Sequence, residues 1–395
     1  MSIKKFQNIS LTNKRVLLRV DYNVPLKNKK IEDDTRIIQT LPTLKHLLKQ
    51  KAKIILVSHS GRPDGKIVPA LRLNPVAAHL SKLLKHPVKK LDECIGEKVK
   101  KAVMAMKPGD IIMLENVRFY PEEEKNSQSF AKRLASLGEV FVSDSFATAH
   151  RAHASVVGIG KYLPSYAGFL MQKEVEILSG LLKKVRRPLT IIFGGVKVET
   201  RVGILENFLP KADYFLIGGG MANTFLAATG YDIGKSLHQA DKIKTAQNIM
   251  LKAEALHDNF VLPKDVIVAD EISEKAETAH LPVEDVMGDM KILDIGSETI
   301  KQFIKVIQRS KTVIWNGPLG LSELEHFQKG TRSIAKTLVL LKKKVQCIVG
   351  GGDTIEAIKR MGFKESQFTF VSTGGAAMVE FLEGKKLPGV EVLKK

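Results

Sequence analysis

The chain has little cysteine and no long apolar run. Its two cysteines, Cys94 and Cys347, stand far apart among 395 residues. That excludes a disulfide framework and the paired spacing of a zinc site, and it points to a reducing compartment. No apolar run approaches the ~20 residues that a membrane-spanning helix needs. The opening stretch, MSIKKFQNISLTNKR, lacks the apolar core of a secretory signal. We therefore expect a cytoplasmic protein with no membrane partner. There is no RNP-like aromatic run, zinc finger or basic heptad region, so no nucleic-acid partner is expected. Low-complexity tracts, flexible Gly/Ser linkers and short-period repeats are missing too.

What is present is ordinary globular composition, 44% hydrophobic and 26% charged, which argues against disorder. At 395 residues the chain exceeds the size at which one core stops growing, so two domains are expected. The formal net charge is +20. Such a field could draw nucleic acid, an anionic membrane or small polyanions. The lysines are scattered, as at Lys82, Lys85, Lys89 and Lys90, then Lys342 to Lys344. Most runs of this kind are solvated helix faces, so charge alone leaves the function open.

Short β-branched runs alternate with longer amphipathic segments, the pattern of β-α-β units around a mostly parallel sheet. The first half offers VLLRV (Val16 to Val20), KIILVSH (Lys53 to His59), DIIMLEN (Asp110 to Asn116) and EVFVSD (Glu139 to Asp144). The second offers LTIIFGG (from Leu189), DYFLIGGG (from Asp213), KTVIWNGPLG (from Lys311), VQCIVGGGDT (from Val345) and FTFVSTGG (from Phe368). Between them, Met171, Val175, Leu178 and Leu182 recur at helical spacing until Pro188. The expectation is an α/β chain of two doubly wound, parallel-sheet, Rossmann-like domains. They cover 1–170 and 188–382, joined by a stiff helix over 171–187, with a tail over 383–395.

In the second half, apolar strands repeatedly end in Gly-rich turns leading toward a helix. Glycine lets backbone N–H groups approach a phosphate, and a helix start favours negative charge. Five such turns in one domain point to a phosphate site at the carboxyl ends of the strands. Two decoys fail. Gly234-Lys235-Ser236 resembles the end of a Walker A loop, but Thr229 stands where that loop needs glycine. Asn223 and Ile355 stand where a dinucleotide fingerprint needs its third glycine. The first half places Asp21, Asn23, His59, Arg62, Arg118, His150, Arg151 and His153 at or just past strand ends, with Arg36 after an acidic turn. A lone arginine is more often a surface ion pair. Several together would make a basic pocket for a multiply anionic small molecule.

Beyond these patterns, RVDYNVP (from Arg19), DDTRI (from Asp33), SHSGRP (from Ser58), LENVRF (from Leu114) and TAHRAHAS (from Thr148) closely resemble the phosphoglycerate kinase family. So do GGVKV (from Gly194), GGGMANTF (from Gly218), WNGPLG (from Trp315), GGGDT (from Gly350) and STGG (from Ser372), in the family's order over essentially the whole chain. The resemblance implies a hinge-bending, bilobal kinase moving a phosphoryl group between ATP and the carboxylate of 3-phosphoglycerate, giving ADP and 1,3-bisphosphoglycerate, with Mg²⁺. It implies that Asp21, Asn23, Arg36, His59, Arg62, Arg118 and Arg151 hold the glycerate on the first domain. It assigns Lys197, Arg201, Asn316, Glu323, Gly350, Gly351, Gly352, Asp353 and Thr354 to the nucleotide on the second, with Asp353 at the metal and Glu323 at the ribose. The tail would return to the first domain.

A carboxylate acceptor is already ionised at neutral pH and needs no general base, which agrees with the lack of a Ser/His/Asp constellation. Arg36, Lys197 and Arg201 are expected near the transferring group, with backbone N–H groups of Gly374 and Gly375 at a helix start. Arg201 stands where the family commonly has lysine, Ser143, Ser145 and Ala147 where it has Asn, Ala and Gly, and Ala376 where it has a third glycine. We expect a monomer. The alternatives are a kinase for another acid that forms an acyl phosphate, or a nucleic-acid-binding protein on a kinase scaffold.

Overall fold

The computed structural model describes residues 2–28, 30–256 and 259–395. The chain divides into two compact units, Met1–Ser179 with Lys386–Lys395, and Gly180–Lys385.

The first unit is built from β1 (Arg15–Val20), β2 (Leu26–Lys27), β3 (Lys30–Ile31), β4 (Lys53–Val57), β5 (Val88–Lys90), β6 (Ile111–Met113), β7 (Val140–Asp144) and β8 (Ser165–Ala167). Among the described residues its main sheet runs β5-β6-β4-β1-β7-β8 with every pairing parallel, and β2 and β3 form a separate hairpin. Because side chains alternate across a strand, β1 splits its residues between two cores. Val16, Leu18 and Val20 face one layer with Ile37, Leu44 and Leu47 of the helix Thr35–Lys49. Leu17 faces the other, with Phe130 and Leu134 of the helix Gln128–Ala135. A strand covered on both faces reads as a continuous apolar run, which is why VLLRV and KIILV were legible. Burying each such Leu, Ile or Val contributes about 1.5–3 kcal/mol.

The second unit holds β9 (Leu189–Phe193), β10 (Tyr214–Ile217), β11 (Phe260–Val261), β12 (Asp265–Ala269), β13 (Ala279–Pro282), β14 (Lys291–Ile295), β15 (Thr312–Asn316), β16 (Gln346–Gly350) and β17 (Phe370–Val371). Its main sheet is again parallel, in the order β11-β10-β9-β15-β16-β17. Val313 and Trp315 pack on one side with Phe303, Ile307, Ile334 and Leu338. A second, antiparallel sheet, β13-β12-β14, was not expected from the sequence. Its edge strand AHLP is mostly exposed and carries no apolar run to signal it.

The connecting helix spans Phe169–Lys183 and ends before the expected 187. The residue before a proline is biased to extended backbone. Arg187 there pairs with Asp213, Nη2 to Oδ1 at 2.7 Å. Residues 386–395 lie in the first unit, where the Gly389 amide donates to the Ala149 carbonyl (2.8 Å) and the Lys4 amide to Leu393 (2.8 Å). Among the described residues, no helix is long and apolar enough to cross a membrane. The Gly234-Lys235-Ser236 turn lies against β14: the Lys235 amide donates to Met290 and Ser236 Oγ accepts from the Ile292 amide, both at 2.8 Å.

Candidate active site

Parallel strands deliver their carboxyl ends to one edge of a sheet. In the first unit that edge receives Asp21 and Asn23 after β1, His59 after β4, Arg118 after β6, and His150, Arg151 and His153 after β7. Arg36 comes from the first turn of the helix Thr35–Lys49. These groups interlock. Arg36 Nη1 pairs with Oδ2 of the buried Asp21 and reaches the Asn23 carbonyl at 3.4 Å. Asn23 Oδ1 accepts from the Gly61 amide (2.8 Å), and Arg118 Nη1 donates to the Gly61 carbonyl (2.8 Å). Arg118 Nε lies 3.2 Å from Glu124. Arg62 and Arg151 are exposed.

The imidazoles of this cluster are neutral at physiological pH. Burial, then the neighbouring Arg151, pushes His150 down to about 4. Burial, then Arg118 and Arg19, does the same for His153, to about 4. The positive potential is thus carried by arginines, whose planar forks match carboxylate and phosphate oxygens. Three partners were missed from the sequence: Arg19, Glu123 and Ser155, all buried beneath the cluster. A charged residue inside the apolar run of β1 was the available signal for Arg19.

The second unit contains a cavity of about 480 Å³, within the range of small-molecule sites. Of the expected nucleotide residues, Lys197, Arg201, Glu323 and Asp353 line it. Gly195, Gly219, Gly220, Leu237, Ile272, Pro318 and Leu319 supply a largely apolar wall. The loops after β9 and β15 approach closely enough to require glycine. A Cβ on Gly194 would lie 2.0 Å from the Pro318 carbonyl oxygen, and one on Gly317 would lie 2.3 Å from Gly194. Leu237 and Ile272 sit in connecting segments without periodicity, so nothing in the sequence marked them.

Arg201 is held by three acceptors: Nη1 donates to the Lys197 carbonyl (2.9 Å) and Thr200 Oγ1 (3.1 Å), and Nη2 to Asn316 Oδ1 (3.1 Å). Burial pulls its pKa down and Asp353 opposes the shift, but a guanidinium remains charged. Gly351 lies beside Asn316. The Thr354 hydroxyl accepts from the Gly317 amide at 2.6 Å and so anchors the loop after β15. Among the described residues, Gly350, Gly352, Gly374 and Gly375 do not line the cavity. The Gly374 amide donates to Ser372 Oγ (3.1 Å).

No cluster of three or more His, Cys, Asp or Glu side chains able to hold a metal occurs among the described residues. A lone exposed carboxylate, Asp353 at the start of the helix Gly352–Arg360, still suits Mg²⁺, which keeps several waters and is held by one or two carboxylates plus substrate phosphates.

A family model described as phosphoglycerate kinase matches residues 6–385. The phosphoglycerate kinase of Dictyoglomus turgidum is 51% identical over 393 residues, 100% of this chain and 98% of that one. That of Pelotomaculum thermopropionicum is 47% identical over 393 residues, 100% of this chain and 99% of that one. Among solved structures, phosphoglycerate kinase from Coxiella burnetii superposes with a TM-score of 0.89 at 42% identity, covering 99% of this chain and 98% of that one. The Pyrococcus horikoshii enzyme gives 0.87 at 31%, with the same coverage. With these matches running through both units and every motif in order, the chain belongs to the phosphoglycerate kinase family.

Proposed function

We propose that the chain catalyses reversible phosphoryl transfer between ATP and the carboxylate of 3-phosphoglycerate, giving ADP and 1,3-bisphosphoglycerate. The family match over residues 6–385 carries the reading. The interlocked Asp21–Arg36–Asn23 and Arg118–Gly61 contacts support a glycerate half-site on the first unit, completed by His59, Arg62 and Arg151. The cavity lined by Lys197, Arg201, Glu323 and Asp353 supports a nucleotide half-site on the second, with Asn316, Thr354 and Gly350 to Gly352 shaping its loops.

The acceptor carboxylate is ionised at neutral pH, so the protein supplies alignment and charge rather than a base. Arg36 would orient the acceptor, and Lys197 and Arg201 would neutralise charge developing on the moving group. Gly374 and Gly375 are assigned there as backbone donors. Asp353 would hold Mg²⁺ bound with the nucleotide, and the ion would supply further charge neutralisation.

Coupled assay with ATP, magnesium and 3-phosphoglycerate tests the activity directly. Turnover with other carboxylic acids but not with 3-phosphoglycerate would transfer the assignment to another kinase that forms acyl phosphates. We take the working form to be a cytoplasmic monomer, which sedimentation velocity and cell fractionation check. No comparison supports the nucleic-acid-binding alternative.

A further inference from the structure

The imidazole of His59 is gripped from its Nδ1 side. Arg19, on β1, is buried (1% exposed) and spends its fork inside the protein. Its Nε donates to Ser155 Oγ at 2.9 Å, its Nη1 to the Val20 carbonyl, and its Nη2 lies 3.3 Å from His59 Nδ1. Below it Glu123, fully buried, accepts from Ser155 Oγ (2.6 Å) and the Ser155 amide (2.9 Å). A guanidinium rim carries only N–H donors and cannot accept. The nitrogen facing it must therefore present its lone pair, and the ring proton belongs on Nε2.

One neighbour pulls the other way. Asp21 Oδ1 lies 3.7 Å from the same Nδ1 and would favour a proton there. That separation exceeds hydrogen-bonding distance, and Asp21 is already paired with Arg36. The other titratable and charged groups around the ring are Arg36, Arg118 and His153, none of which favours a second proton.

We propose that Arg19 is a positioning residue for the reaction: braced by Ser155 and Glu123, it fixes His59 as the Nε2–H tautomer, a neutral donor to the acidic substrate. This rests on the reading of the first unit as the glycerate half-site. Burial and the surrounding arginines also hold the His59 pKa well below its usual value, so the ring does not become a cation whose charge varies with pH.

Nitrogen-15 NMR of the full chain labelled at histidine tests this, with His59→Ala identifying the His59 signals. Wild type should show a neutral ring protonated on Nε2 from pH 5.5 to 8. An Nδ1–H or cationic ring at pH 7 overturns the proposal without any variant being needed. Arg19→Lys keeps the positive charge beside Glu123 but cannot reach Ser155 and His59 together. It should give mixed tautomers and a His59 titration within that range. The KM for 3-phosphoglycerate should rise about 10-fold, the cost of one misplaced hydrogen bond, and become pH-dependent, while the KM for ATP stays within about 2-fold. His59 signals unchanged in Arg19→Lys would overturn the role of Arg19. If the tautomer is as stated but His59→Ala leaves the 3-phosphoglycerate KM unchanged, the half-site reading fails instead, and with it the donor role.

Discussion

Arg36 reaches its partners from a different element, the helix Thr35–Lys49, whereas Asp21 and Asn23 follow β1. Its place therefore depends on tertiary structure, and its loss should be felt locally. Arg36→Ala should lower the transfer rate by about 10²-fold, as for removal of one preorganised charge contact in a transition state. ADP affinity, measured by calorimetry, should hardly change, because no nucleotide group lies in the first unit on this assignment. A large loss of ADP affinity would show that the half-sites are misassigned. At Asp353 two roles compete. As a metal ligand its charge matters; as a helix cap Asn would serve nearly as well. Asp353→Asn should weaken nucleotide binding in the presence of magnesium and leave metal-free binding intact. Equal magnesium dependence in both proteins would favour the cap. Arg201 satisfies three acceptors at once through the two terminal nitrogens of a planar fork, whereas a lysine would present a single point charge.

At the scale of elements, the loops after strands are shaped by how closely they pass. The Gly194 amide donates to the Asn316 carbonyl (3.0 Å) and the Gly195 amide to Pro318 (2.8 Å), tying the loops after β9 and β15 together. Gly194→Ala would drive a methyl into the Pro318 carbonyl at 2.0 Å, so backbone must move. We expect a lower Tm and at least a 10-fold weaker nucleotide Kd, with the affinity for 3-phosphoglycerate retained. Calorimetry with each ligand separates these, and unchanged nucleotide binding would show that the cavity does not depend on this contact.

The end of β7 holds another device. Asp144 Oδ1 accepts from the Leu170 amide (2.8 Å) and the Met171 amide (3.2 Å), capping the helix Phe169–Lys183. Burial pushes this carboxyl up to about 7. A raised folded pKa means that the native state binds the proton more tightly than the unfolded chain. The contribution is complete below about 4 and is lost as pH rises through 7. Asp144→Asn removes the titration and keeps an oxygen for the cap. Relative to wild type it should gain stability from pH 5 to pH 8, by at most about 3 kcal/mol, because only the two units between pH 5 and the folded pKa of about 7 count, at about 1.36 kcal/mol per unit. Urea unfolding at the two pH values measures it, and a constant difference would refute the buried-carboxyl account.

For the whole molecule, the net charge of +20 must be weighed against screening. The Debye length is about 8 Å at ~0.15 M salt, so scattered surface lysines act weakly on a substrate while site arginines act strongly. Both substrates are multiply anionic. Their capture should be faster in a positive field, so kcat/KM should fall with ionic strength more than kcat does. A salt series with magnesium–nucleotide speciation held constant reads this. A flat kcat/KM from low to moderate salt would assign the charge to solubility or another polyanion.

The apolar runs determined the two parallel sheets, because strands buried on both faces cannot hide their composition. The motif strings at strand ends determined the family, and some of their glycines, such as Gly194 and Gly317, answer a local need for close approach. The sequence did not reveal the sheet β13-β12-β14: its edge strand β13 is mostly exposed and needs no apolar pattern, and pairing with the buried β12 is what makes it a strand. Nor could it foresee that Leu237 and Ile272 wall the cavity, or that Thr354 serves the loop after β15. Arg19 is the sharpest case. It opens the string RVDYNVP, yet only folding sets its guanidinium against His59 and over Glu123. Which nitrogen carries a proton is decided by what the chain brings within 3–4 Å, and that is a property of tertiary structure.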